Sequence, residues 1–159
     1  MAQKLKPLLV ASLFNTLEEK IMQIIYPLTI YYDASCSLCA TEMHTIKETD
    51  FENKLILVDC SNDSFAKPAF CPSNKAAMME RIHAVDAAGQ WLKGVDVFEF
   101  AYKAGGFNKL GQFWGNKTLR PLLSRAYPFI ADNRRWLSKT PLPYIFNKAL
   151  RLMAPNQKN

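Results

Sequence analysis

The sequence predicts an α/β chain: a central mixed sheet of about four strands with flanking helices, extended by helical segments at both ends. Three observations carry this. Two apolar runs, residues 28–32 and 55–59, bracket a stretch of helical period and make a strand–helix–strand unit. Residues 82–86 and 91–93 flank Ala87-Ala88-Gly89-Gln90 and read as a β-hairpin. Beyond residue 107 the apolar residues recur only at helical spacing. One domain is expected, with a core at about 27–106, an N-terminal helix at about 5–25 and a basic helical extension at about 107–155. At 159 residues, 49% hydrophobic and 21% charged, the chain suits one packed core and not a disordered or disulfide-dense scaffold.

Leu5, Leu9, Leu13, Leu17 and Ile21 follow an i, i+4 rhythm, continued by Ile24. They predict an amphipathic helix packed on the domain and ended by Pro27. Leu28-Thr29-Ile30-Tyr31-Tyr32 is β-branched and aromatic, hence a strand. It runs into Asp33-Ala34-Ser35, a turn with N-cap chemistry, and then a helix over 36–48 with Leu38, Met43 and Ile46 inward. Leu55-Ile56-Leu57-Val58-Asp59 is nearly continuous in apolar character, as buried parallel strands are, so a right-handed crossover should join it to the first strand. Residues 61–73 read as loop, and Ser73 or Asn74 can cap a short helix through Arg81. A helix over Val95–Ala104 is stopped by Gly105-Gly106. Leu119, Leu122, Leu123, Ala126, Tyr127, Ile130 and Ala131 predict a further helix, which Pro128 should kink because it cannot donate to the Ser124 carbonyl. Pro141 and Pro143 break the chain before a last helix over Tyr144–Met153, and residues 157–159 should fray.

The net charge of +6 hides an asymmetry. Residues 103–159 hold 11 Lys/Arg against the single acid Asp132, whereas residues 1–102 hold 9 against 13 acids. A basic face attracts phosphates, acidic proteins or anionic lipid, although a solvated helical surface has the same composition. No run of ~18 apolar residues spans a membrane. Lys4 and Lys6 precede a short apolar stretch, but no small-x-small cleavage site follows it. The expected setting is cytoplasmic and reducing, where a close cysteine pair is working chemistry more often than a staple.

The chemistry concentrates at Cys36-Ser37-Leu38-Cys39, between a strand end and a helix start. The order strand, Cys-x-x-Cys helix, strand, helix, hairpin, helix is the thioredoxin-like arrangement. A cysteine at a helix start meets unpaired backbone N–H groups and the positive end of the helix dipole, so its pKa can fall well below ~8.5. Cys36 is expected to be the exposed nucleophile and Cys39 the buried resolving thiol. Metal binding and inert core packing are the competing readings of the pair.

Asp33-Ala34-Ser35-Cys36-Ser37-Leu38-Cys39 after Ile30-Tyr31-Tyr32 resembles the Asp-x-x-Cys-x-x-Cys signature of the DCC family of thiol–disulfide oxidoreductases. Residues 82–89, Gly94-Val95-Asp96-Val97-Phe98, Ala126-Tyr127 and Ile130-Ala131-Asp132-Asn133-Arg134 resemble its later segments, over roughly 28–137 in all. The resemblance implies a thioredoxin-like fold and a redox-active Cys36–Cys39 pair. It also implies a protein or small-molecule thiol or disulfide as substrate, with an electron partner to reset the pair and no external cofactor. Asp33 is the signature's acid. It can relay a proton at Cys39 or fix the loop that presents Cys36, or it can act only as a turn or cap carboxylate. One departure is plain: Met79-Glu80-Arg81 precede the hairpin without the proline that thioredoxins carry there.

Cys60 and Cys71 leave three readings open: a four-thiolate zinc site with Cys36 and Cys39, a second exchange pair, or a small buried residue and a loop thiol. His44 lies too far round its helix for catalysis, and His83 is expected to be hydrogen-bonded and half-buried. Trp91, Trp114 and Trp136 are expected as packing anchors, and no nucleic-acid motif is present. The alternative function is a non-enzymatic binding or redox-sensing module whose basic C-terminal helices, with Trp136 beside Arg134 and Arg135, dock on an anionic membrane surface or acidic partner.

Overall fold

The computed structural model describes residues 23–155. The predicted N-terminal helix lies outside them except for residues 23–25, which are not helical, and the predicted frayed end lies outside them too. The elements in chain order are β1 (Leu28–Tyr32), α1 (Ser37–Glu48), β2 (Leu55–Asp59), α2 (Lys75–Glu80), β3 (His83–Val85), β4 (Trp91–Lys93), α3 (Val95–Ala104), α4 (Asn108–Trp114), α5 (Arg120–Leu137) and α6 (Leu142–Met153). The sheet order is β2-β1-β3-β4. β1 pairs β2 in parallel, from Leu28 opposite Leu55 to Tyr32 opposite Asp59. It pairs β3 antiparallel, and β3 pairs β4 antiparallel. This is a thioredoxin-like α/β fold.

β1 is central, and all its residues but Thr29 are buried. β2 is not covered on both faces as its apolar run suggested. It forms an edge of the sheet, and Ile56 is 46% exposed. Register at that edge comes from Asp50, whose carboxylate accepts from the Lys54 and Leu55 amides at 2.8 Å each and from Lys47 Nζ at 2.9 Å. The hairpin turn is built by Asp86, which accepts from the Ala88 and Gln90 amides, with Gly89 at φ +86°. That backbone region suits glycine because it has no Cβ to clash.

One core sits between the sheet and its helices. Leu28 and Ile30 of β1, Met43 and Ile46 of α1, Val97 and Tyr102 of α3, and Leu150 of α6 are all within 1% of complete burial. Each aliphatic side chain among them contributes roughly 1.5–3 kcal/mol of burial. Leu150 carries the C-terminal extension into this core, and Thr45 Oγ1 of α1 donates to Asn147 Oδ1 of α6 at 2.8 Å.

Three details depart from the sequence reading. α4 was not expected: it is two turns long and contains Gly111, a poor helix former. Gly111 is there because a Cβ would meet Lys103 Cγ at 2.5 Å and the Glu99 carbonyl at 3.1 Å, so only glycine lets α4 lie on α3. α5 holds Pro128 within it and continues past Ala131, the last residue of the predicted pattern, to Leu137. α6 starts two residues early because Pro143 occupies its first turn, where no intrahelical donor is needed.

Candidate active site

Cys36 is the N-cap of α1, and its sulfur accepts from the Cys39 amide at 3.4 Å. The end of β1 and the Asp33 turn put it there. Asp33 Oδ1 accepts from the Ser35 amide at 3.0 Å and the Ser35 hydroxyl at 2.5 Å, which closes the turn. Asp59 at the end of β2 braces the same loop from below, accepting from the Ala34 amide at 3.2 Å and the Ser61 hydroxyl at 2.6 Å. Burial works against ionisation of Asp59, but the Ser61 hydroxyl and amide and the Ala34 amide outweigh it and hold its carboxyl below the ordinary range.

The expected exposure of the pair is reversed. Cys36 is 2% exposed, and Cys39, expected to be the buried partner, is half-buried. The cover is Ser138 at the end of α5. Its Oγ lies 3.3 Å from the Cys36 sulfur and accepts from the Leu38 amide, while its carbonyl accepts from Ser37 Oγ. Ser138 lies a hundred and two residues from Cys36 in the chain, so no local pattern could have pointed to it.

The electrostatics separate the two thiols. Cys36 is held down at about 6 by the Cys39 thiol, with burial opposing, and further by the Ser138 hydroxyl, the Cys39 amide and the charge of Arg134. Cys39 is pushed far up by its hydrogen bond to Cys36, by burial and by the Cys36 charge. Both directions favour Cys36 over Cys39 as the ionised member of the pair.

Arg134 of α5 joins the parts. Its Nη2 pairs with Asp33 Oδ2 at 3.2 Å and also donates to the Met79 carbonyl, while Nη1 donates to the Glu80 carbonyl at 2.8 Å. Tyr127, also on α5, accepts from the Ile82 amide at 3.0 Å. That ring fits because Gly94, at φ +63°, carries no Cβ where Tyr127 Cε1 would lie 3.1 Å away. The proline-free stretch before the hairpin is thus held by two side chains from the C-terminal extension.

Residues 30–140 match the DCC1-like thiol-disulfide oxidoreductase family. The chain belongs to that family. The match spans more than half of it and takes in Cys36 and Cys39 with Asp33 and Arg134. No curated protein and no solved structure matches the chain significantly. Family membership agrees with the sequence resemblance, and the closeness of Cys36 and Cys39 is what a working Cys-x-x-Cys pair needs.

A cavity of about 230 Å³ opens beside the pair. Cys39 lines it and Cys36 does not. Its wall is mostly apolar, from Leu38, Met79, Phe98, Trp114, Ile130 and Phe146, with Asp33, Glu42, Glu80, Arg81 and Arg134 as charged members. Glu42, three residues beyond Cys39, accepts from Tyr102 Oη at 2.5 Å. Burial lifts its carboxyl to about 7, against the Tyr102 hydrogen bond and with the Cys36 charge. Neither Glu42 nor Arg134 was singled out as a site residue. The i, i+3 spacing from Cys39 was available as a signal for Glu42, and for Arg134 only its place in the segment 130–134 that resembles the family.

The remaining candidates take structural places. Cys60 is fully buried, and burial lifts its thiol to about 12, while the buried Cys71 points its sulfur at Met78 Sδ, 3.7 Å away. Among the described residues no group of three or more His, Cys, Asp or Glu side chains is placed to hold a metal, so the four-thiolate grouping is not assembled. His83 is buried, with Nε2 2.9 Å from Ser73 Oγ and Nδ1 2.8 Å from the Arg81 carbonyl. His44 Nε2 bonds Tyr32 Oη at 2.8 Å. Trp91 stacks on Tyr31 and Trp114 on Phe98, as anchors do. Trp136 is not an anchor: it is 67% exposed.

Proposed function

We propose that the protein is an enzyme that exchanges thiols and disulfides through Cys36 and Cys39. Cys36 supplies the nucleophilic thiolate. It attacks a substrate disulfide and displaces one thiolate. Cys39 then attacks the Cys36 sulfur, releases the second product and closes the bridge. The observation that carries this reading is geometric: Cys36 caps the start of α1 one turn before Cys39, with its sulfur accepting from the Cys39 amide at 3.4 Å and lying 3.3 Å from Ser138 Oγ. Asp33 is a positioning residue: it closes the presenting turn and holds Arg134, whose charge favours the thiolate. No helix among the described residues is long and apolar enough to cross a membrane. We take the compartment to be the cytoplasm, because the chain carries few cysteines.

The test is a pair of variants challenged with a chromogenic disulfide. Cys39→Ser should accumulate a mixed disulfide on Cys36 that mass spectrometry of the intact protein detects, and Cys36→Ser should give no exchange. Full exchange by Cys36→Ser would overturn the assignment. For Asp33, the Asn variant leaves Arg134 without its counter-charge, so the Cys36 titration should move to lower pH, while Asp33→Glu should keep it.

A second reading, contact with an anionic surface, is supported by one pattern. Leu122, Phe129 and Trp136 are 65%, 73% and 67% exposed and recur every seven residues along α5, and Arg125 and Arg135 are exposed on the same helix. Aromatic and aliphatic groups among cations suit a lipid interface. Salt-sensitive binding to anionic vesicles, kept by a Cys36→Ser/Cys39→Ser variant and lost on Trp136→Ser, is expected. Equal indifference to anionic and neutral vesicles would remove this reading.

A further inference from the structure

The cavity at Cys39 says which disulfides can reach the pair. We propose that it is the binding site for one substituent of a small, uncharged, apolar disulfide, presented to Cys36 and Cys39 from the Cys39 side. This rests on the exchange activity proposed above and names its substrate class.

Size sets the scale. At about 230 Å³ the space falls below the ~300–1,000 Å³ that drug-sized ligands occupy, and it fits an aryl or short branched alkyl group. Phe98, Trp114, Ile130, Met79 and Phe146 offer that group aromatic and aliphatic surface. Charge gives an anion no net attraction: Asp33 already pairs with Arg134, Asp132 pairs with Arg81 at 2.7 Å, and Glu42 and Glu80 add acids to the same wall.

A polypeptide disulfide is disfavoured by two further observations. The outer approach to Cys36 is taken by Ser138. The backbone before the hairpin, where an extended peptide would pair, has its Met79 and Glu80 carbonyls bound by Arg134 and its Ile82 amide bound by Tyr127. What stays open is the cavity side, where Cys39 and not Cys36 lines the wall, so a small molecule seated there brings its disulfide past Cys39 to reach the Cys36 sulfur.

The chemistry balances without another reactant. Cys36 thiolate bonds to one sulfur of RSSR and one RS⁻ departs. Cys39 thiol gives up its proton and its sulfur bonds to that of Cys36, expelling the second RS⁻. The products are the Cys36–Cys39 disulfide, one RSH and one RS⁻, with two electrons passed to the substrate.

The test uses the pre-reduced full-length protein in single turnover. Neutral dipyridyl disulfide is compared with dianionic dithiobis-nitrobenzoate and with insulin, each rate normalised to that of free dithiothreitol with the same disulfide. The neutral probe should saturate and show a normalised preference of about tenfold or more. Ile130→Trp, which narrows the cavity from its rim, should bring that preference to unity while the Cys36 titration stays in place. If this variant misfolds, binding of the non-exchanging dipyridyl sulfide to Cys36→Ser/Cys39→Ser protein, read by Trp114 fluorescence against a Trp114→Phe control, asks the same question. Equal normalised rates, no saturation or a preference for insulin would overturn the cavity proposal alone. No exchange with any of the three disulfides would overturn the enzymatic reading instead, and the dipyridyl sulfide would still report whether the cavity binds.

Discussion

Ser138 Oγ lies 3.3 Å from the sulfur of Cys36 and takes the amide of Leu38 as its donor, so the end of α5 is pinned across the start of α1. With one lone pair taking that amide, the hydroxyl's own O–H is free to donate to the thiolate. The same contact both stabilises the charge and covers the sulfur.

Ser138→Ala should therefore raise the Cys36 pKa from about 6 by roughly one unit, since a hydrogen bond to a charged group contributes about 1.5–3 kcal/mol, part of which water restores at the opened site. The ultraviolet absorbance of the thiolate against pH measures it. Alkylation by iodoacetamide, corrected for the ionised fraction, should become faster in the variant because the cover is gone. A titration indistinguishable from the parent's would mean that Ser138 gives no proton to Cys36.

Arg134→Met should be the most destabilising change at the site. It leaves Asp33, whose side chain is 3% exposed, without its cation, a loss on the order of 3 kcal/mol. Asp33→Asn combined with Arg134→Met should cost clearly less than the sum of the single losses, because the double variant leaves no unpaired charge. Urea unfolding of the four proteins in the cycle measures the coupling. Strict additivity would contradict a direct pair.

Glu42 makes stability depend on pH with a definite sign. Its carboxyl rises from an ordinary 4.5 to about 7 on folding, so between those values the folded chain holds a proton that the unfolded chain has lost. Stability should fall as pH rises through that window. Glu42→Gln should remove this falling limb and gain on the order of 1–2 kcal/mol above pH ~7, allowing for partial access of solvent. Thermal unfolding of both proteins at pH ~5 and ~8 checks it, and parallel profiles would refute it.

Cys60 should be a bystander. It is fully buried, and its thiol is lifted to about 12 by burial and by the Asp59 charge. Cys60→Ala should leave the disulfide exchange rate unchanged and cost about 1 kcal/mol of stability. A lost or slowed exchange would restore the second-pair reading of Cys60 with Cys71.

Much of the architecture was legible before any coordinates. The β-branched run at 28–32, the hairpin around Gly89 and the helix opened by Cys36 are local patterns, and they stand where the periodicity puts them. α4 was not legible, because a seven-residue helix containing glycine has little local preference and forms by lying on α3. The edge position of β2 was hidden for a related reason. Apolar character says that a strand wants cover, and only the sheet order says which strand lacks a neighbour.

The sequence by itself determined the chemistry available to this protein: two cysteines one helical turn apart, the first at a helix start, and an acid in the turn before them. Those depend on spacing along the chain, which bond geometry converts directly into proximity. The tertiary structure alone decided which sulfur is covered and which faces a cavity. Ser138, Arg134 and Tyr127 come from about a hundred residues downstream, and their place over the site follows from how α5 and α6 bury their apolar sides against the core. Burial is a property of the packed whole, so no stretch of sequence could state it.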